Sequence, residues 1–188
     1  LYRFLSITAL ALGVAWVGWT VWDGLFAHRQ PGDLAYLAGQ RAFEDGEYAR
    51  AEAEYRRALR ASPDHHHAWR GLARALTQQG DYREALDAFA EALARAPEVA
   101  GIHANRGILH DHMGRHRDAL ADYERALELD PAIAEGPGWM TRFLRLQPEA
   151  PPTIAARAAY LRAELAKPPG ERLLRVPELD AGQRPYKQ

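Results

Sequence analysis

No cysteine occurs among the 188 residues, which excludes disulfides, thiolate metal sites, iron–sulfur clusters and thioether-linked haem. Excess charge is missing as well. The 24 basic and 25 acidic residues leave a net charge of −1, so no field gathers nucleic acid, and no nucleic-acid partner is expected. Nucleophile and phosphate motifs are absent: there is no G-x-S-x-G, no P-loop, no dinucleotide fingerprint and no H-E-x-x-H. The carboxylates lie instead among arginines on helical faces, as in Glu52, Glu54, Arg56 and Arg57. No catalytic residue and no cofactor is expected. A hydrophobic fraction of 47% and a charged fraction of 26% are those of a globular chain.

Only one long apolar run is present. Phe4 to Trp22 contains no charged residue, and as a helix it spans about 28 Å, close to the ~30 Å of a bilayer core. A secretory signal peptide is the rival, but the run exceeds the usual apolar length and tryptophans stand where small cleavage residues belong. The expectation is a single-pass anchor over residues 1–23, contacting lipid through 4–22, followed by a linker at 24–32. Trp16, Trp19 and Trp22 form an interfacial belt, the alternative being a stripe packed on a neighbouring helix. Ala9 and Gly13 form a small-xxx-small pair on the same run. Weak flanking charge favours a short cytoplasmic N-terminus with the rest on the periplasmic side of a bacterial inner membrane. Leu rather than Met opens the sequence, so earlier residues are expected to be missing or removed.

Beyond the run, Pro63, Pro97 and Pro131 recur every 34 residues, and residue types recur with them. Gly46, Tyr48, Ala51, Tyr55 and Ala58 are matched by Gly80, Tyr82, Ala85, Phe89 and Ala92. They are matched again by Gly114, His116, Ala119, Tyr123 and Ala126. Self-similarity at this period means stacked helical units. The small residues Gly39, Ala73 and Gly107 let the first helix of each unit lie close to its partner. The turn glycines supply a permissive backbone, and each proline ends a helix. Asp64 is placed to start the next helix.

The pattern resembles the tetratricopeptide repeat, two antiparallel helices per unit, over Asp33 to Pro131. The expected fold is all-α: a transmembrane helix, then a three-repeat solenoid (32–65, 66–99 and 100–133). A degenerate repeat with a capping helix (134–167) and an extended tail (168–188) complete it. Ala132 to Glu135 starts a further helix that Gly136-Pro137-Gly138 breaks, and Trp139 to Leu146 is a short amphipathic helix. Thr153 caps a better one reaching Lys167, with Ile154, Ala158, Leu161 and Leu165 on its apolar face. In the tail, Leu173, Leu174, Val176 and Leu179 either dock on the array or a partner, or belong to a loose end.

The resemblance implies a concave groove lined by the first helices. Its candidate residues are Tyr36, Gln40, Phe43, His67, Arg70, Arg74, Asn105, Asp111 and His112. One subset of the family clamps a partner's C-terminal carboxylate. Arg70, Arg74 and Asn105 stand at clamp positions, but Glu135 and Trp139 do not match, so the clamp is incomplete. Histidines at 65, 66, 67, 103, 110, 112 and 116 invite a metal reading. Their side chains diverge or take packing positions, which points rather to a polar third repeat contacting another subunit, with no metal. The expected role is a membrane-anchored interaction scaffold, an accessory subunit bound to other subunits of a membrane complex. The alternative is an assembly factor holding client segments, similar to the membrane-anchored repeat proteins of cytochrome c maturation.

Overall fold

The computed structural model describes residues 2–22, 31–135 and 152–175, with side chains in the first segment given at Thr8 and from Leu10 onward. Eight α-helices are described, and no strand occurs among these residues. They are α1 (Tyr2–Trp22), α2 (Asp33–Glu44), α3 (Tyr48–Ala61), α4 (His66–Gln79), α5 (Tyr82–Arg95), α6 (Ala100–His112), α7 (His116–Leu129) and α8 (Ile154–Ala166). Short 3₁₀ turns cover Pro131–Glu135 and Pro169–Glu171. Helices α2/α3, α4/α5 and α6/α7 form three antiparallel hairpins. The first helices α2, α4 and α6 stand side by side.

The period of 34 is written into the backbone at both ends of each hairpin. Proline crowds the residue before it out of the helical region. Ser62, Ala96 and Asp130, each preceding a proline, have φ of −144°, −143° and −143° and close their helices. Between the paired helices, Gly46, Gly80 and Gly114 sit at φ of 80°, 88° and 73°, where a side chain is strained. The next amides along the chain reach back five residues, Glu47 to Ala42, Asp81 to Leu76 and Arg115 to His110, at 2.8, 3.0 and 2.8 Å. This bond satisfies a carbonyl that the helix end leaves open.

Packing is then decided by size. Tyr55 lies between two glycines: a Cβ on Gly39 would stand 2.8 Å from its ring, and one on Gly71 2.5 Å. Tyr123 crowds Gly107 at 2.7 Å in the same way. Tyr55, Phe89 and Tyr123 are completely enclosed, each contributing about 2–3 kcal/mol of burial. The alanines Ala51, Ala58, Ala85, Ala92, Ala119 and Ala126 allow that approach.

One cap differs from expectation. Asp64 is exposed, and His65 starts α4 instead, its Nδ1 accepting from the Ala68 amide at 3.2 Å. Its Nε2 thereby carries the proton and meets Asp33 Oδ1 at 3.2 Å, tying the second hairpin to the first. Thr153 caps α8 as expected, accepting from the Ala156 amide at 3.1 Å. Helix α8 packs on α7 and the 131–135 turn. It buries Ile154, Ala158 and Leu161 in a cluster shared with Ala119, Tyr123 and Ile133, while Leu165 is half-buried. The region expected to begin a fourth unit is the 3₁₀ turn Pro131–Glu135.

The apolar run forms α1, and its described side chains are all exposed. Among the described residues no helix is long and apolar enough to cross a membrane. The expected crossing by residues 4–22 therefore finds no support among the described residues. The linker up to residue 30, the helix expected at Trp139–Leu146, and Val176 and Leu179 of the tail lie outside the described residues.

Candidate peptide-binding groove

The side-by-side first helices bring most of the expected groove residues together. Tyr36 of α2 is half-buried and receives a 2.7 Å hydrogen bond from Gln40 Nε2. Its ring lies 6.0 Å from that of His67 and 4.9 Å from that of His65, both in the second unit. Phe43, near the end of α2, lies beneath Arg74 of α4, whose guanidinium carbon is 4.2 Å from the ring centroid. That geometry is a cation–π contact between neighbouring units.

Arg74 is the unusual member. It is 8% exposed, and burial pushes its pKa below the ordinary value. Among the described residues it makes no ion pair, and its buried Nε has no hydrogen-bond partner. Arg70, one turn earlier on α4, is buried as well. A buried cation such as Arg74 is normally paired, because an uncompensated buried charge is costly. His67 adds no charge: burial, and then His66 and Arg70, push its pKa down to about 4, so it is neutral at pH 7.

The third unit behaves differently. Asn105 is buried, with its Nδ2 donating to the Gly101 carbonyl of its own helix at 2.6 Å. Asp111 accepts from Arg157 of α8 through Nε at 2.7 Å and Nη2 at 2.9 Å, and from His116 Nδ1 at 2.8 Å. Its carboxylate thus holds the capping helix to the array. His112 is half-buried, its ring 6.5 Å from that of Tyr82.

His103 and His110 serve structure. Trp69 Nε1 donates to the Pro63 carbonyl at 2.8 Å, and His103, one period later, donates from Nε2 to the Pro97 carbonyl at 2.8 Å. Behind it, Arg106 forks Asp122 at 2.9 and 2.6 Å, and His110 Nδ1 stands 3.2 Å from the same carboxylate. Burial of Asp122 raises its pKa, but contacts from His103, His110 and Arg106 outweigh that and hold it well below the usual carboxylate range. Among the described residues no group of three or more His, Cys, Asp or Glu could hold a metal ion.

Sequence reasoning missed Arg157, Gly71, His65 as a cap, and Asp122. A signal existed for two of them. Arg157 stands on the apolar stripe of α8, and Asp122 stands where the second unit has Ala88, so each is a charge on a buried face.

Two models described as tetratricopeptide repeat match residues 36–100 and 100–132, together just over half of the chain. The chain belongs to the tetratricopeptide repeat family. Over 59 residues it is 34% identical to the Hsp70-Hsp90 organizing protein of Triticum aestivum, covering 31% of this chain and 10% of that protein. The first TPR of Spaghetti (RPAP3) bound to the HSP90 peptide SRMEEVD superposes with a TM-score of 0.58 at 19% identity, over 73% of this chain and 94% of that one. MamA 41-end from Desulfovibrio magneticus RS-1 gives 0.51 at 19% identity, over 97% and 94%. The tetratricopeptide array is therefore a protein-interaction scaffold of a generally non-catalytic kind.

Proposed function

We propose that this chain is a membrane-anchored interaction scaffold whose groove holds an extended, acidic segment of a partner protein. Arg74 carries the reading. A buried guanidinium stacked on Phe43, whose Nε has no hydrogen-bond partner among the described residues, suits a carboxylate brought by a ligand, which it can fork in two parallel hydrogen bonds. Tyr36 and Phe43 supply apolar walls beside it, and neutral His67 adds no competing charge. The peptide SRMEEVD named for the Spaghetti structure is acidic, which supports the same class of ligand here.

The test is a titration of fluorescein-labelled SRMEEVD into detergent-solubilised chain. Binding that Arg70→Ala with Arg74→Ala abolishes, at unchanged helical content, supports the reading. Equal binding by both forms overturns it.

The membrane part rests on α1. Leu10, Trp16, Trp19 and Trp22 are 60–73% exposed, and the sequence from Phe4 to Trp22 contains no charge. A lipid core is the environment that accepts such a helix. With the repeats on the periplasmic side of a bacterial inner membrane, the partner is another subunit of a membrane complex or a client segment at that surface. Because the chain lacks cysteine, a single Ser62→Cys reports topology in intact cells. Labelling by a membrane-impermeant maleimide before lysis supports the exported arrangement, and labelling only after lysis contradicts it.

A further inference from the structure

The units repeat, but the two joints between them are built differently. At the first joint Tyr55 of α3 is wedged against Gly71 of α4, where a Cβ would stand 2.5 Å from its ring. Polar ties surround that contact. His65 Nε2 meets Asp33 Oδ1 at 3.2 Å, Gln79 Nε2 donates to Glu52 Oε2 at 2.8 Å, and Arg56 Nη2 donates to Glu84 Oε1 at 2.5 Å. The stacking of Arg74 on Phe43 crosses the same joint. Directional bonds and a ring seated on glycine hold the two units at one angle.

One period later each of these pairs is changed. Asn105 stands where Gly71 did, and Val99 and His67 where His65 and Asp33 did. Met113 and Leu86 replace Gln79 and Glu52, Ala90 and Asp118 replace Arg56 and Glu84, and Ile108 and Thr77 replace Arg74 and Phe43. The apolar side chains that α6 sends into the cluster with Phe89 are larger as well: Ile102 and Leu109, where α4 has Ala68 and Ala75. Spacing between helices follows the size of the side chains at their contact. Helix α6 accordingly touches α5 over far less of its length than α4 touches α3.

The described side-chain ties across this second joint are peripheral. Arg125 Nη2 donates to Glu98 Oε2 at 3.4 Å in an exposed pair, and the rings of Tyr82 and His112 stand 6.5 Å apart. Apolar contact is non-directional, so a joint built on it can roll or slide. The third unit is fastened on its other side: Arg157 forks Asp111, and Arg162 donates to Glu124 Oε1 at 3.1 and 2.8 Å. The apolar core divides at the same place into two clusters, which share only helix α6 among the described residues.

We propose that the array is two rigid bodies, the first two units against the third unit with α8, hinged at the turn 96–99, and that this hinge sets the width of the groove between α4 and α6. Arg70 and Arg74 belong to one body, Asn105 and Asp111 to the other. A partner segment lying across α4 and α6 selects one hinge angle. Shape at this joint, besides charge at Arg74, then decides what the groove accepts. The hinge stands independently of the groove being a peptide site, and its effect on binding rests on that reading.

Because the chain lacks cysteine, spin labels can be placed in pairs. Ala49, Arg83 and Arg117 are exposed at the same position of α3, α5 and α7, and Ala159 is exposed on α8. Double electron–electron resonance is recorded on the full detergent-solubilised chain with Ala49→Cys and Arg83→Cys, with Arg83→Cys and Arg117→Cys, or with Arg117→Cys and Ala159→Cys, each at parental helical content. The expected distance distribution of the α5–α7 pair is at least about twice as broad as those of the α3–α5 and α7–α8 pairs. Saturating SRMEEVD narrows the α5–α7 distribution and leaves the other two unchanged. An α5–α7 distribution as narrow as the α3–α5 one overturns the hinge and leaves the groove reading intact, and an α7–α8 distribution as broad as the α5–α7 one overturns the second body. Peptide that binds without narrowing overturns the hinge's control of the groove. Absence of peptide binding removes the groove reading and that control with it, while a broad α5–α7 distribution still upholds the hinge.

Discussion

Arg157 and Asp111, 46 residues apart in the chain, form a buried two-pronged ion pair with hydrogen bonds of 2.7 and 2.9 Å. The pair joins the capping helix to the last groove helix. Breaking one side strands a buried charge, which costs about 3–5 kcal/mol. Arg157→Ala is therefore expected to lower the urea midpoint sharply and to expose α8 to protease. Arg157→Met with Asp111→Asn leaves His116 its acceptor and recovers at least half of the loss. A single variant that unfolds like the parent contradicts this role.

Gly71→Ala is expected to destabilise the array by about 1–3 kcal/mol, because the new methyl meets the Tyr55 ring at 2.5 Å. Combining it with Tyr55→Leu should give a loss smaller than the sum of the two single losses. Strict additivity in denaturant melts would show that the contact is relieved elsewhere.

The polar layer of the third unit replaces an apolar one. His103, Arg106, His110 and Asp122 stand where the second unit has Trp69, Leu72, Leu76 and Ala88. Asp122→Ala alone should cost about 3–5 kcal/mol, since Arg106 loses its buried partner. The fourfold change to Trp, Leu, Leu and Ala should match or exceed the parent's thermal midpoint, as buried ion pairs rarely outperform well-packed apolar groups. A fourfold variant less stable than Asp122→Ala would refute that account.

His67 predicts a pH dependence. Its folded pKa of about 4 lies below its ordinary value near 6.5, so the folded state binds fewer protons in that window. Stability from this group is complete above pH 6.5 and declines as pH falls toward 4. His67→Gln should flatten the thermal midpoint between pH 6.5 and 4.5 relative to the parent, measured by circular dichroism. An unchanged slope contradicts the assignment.

The repeat framework was legible because each feature is local. A proline forbids the helix before it, a glycine takes a positive φ, and alanines recur on one face; none of these needs knowledge of a distant residue. The resemblance names candidate groove residues, but it does not carry their chemistry. Whether Asp111 faces a ligand or Arg157 depends on a helix that begins 43 residues later, after segment 136–151, and no periodicity carries across that segment. The cap of α4 escaped for a similar reason. Asp64 is the commoner capping type, yet His65 wins because its other nitrogen is held by Asp33 from the preceding unit. The docking of Leu173 and Leu174 was an open choice in the sequence, and the structure ties both to α8 through their carbonyls.

Whether Arg74 grips a carboxylate of a bound segment is measured most directly by a double-mutant cycle. Affinities are determined for parent chain and Arg74→Gln, each with SRMEEVD and with its two glutamates changed to glutamine. Removing either side alone is expected to weaken binding tenfold or more. Removing both should cost little beyond either one, a coupling of at least about 1.4 kcal/mol. Additive losses across the cycle would contradict it.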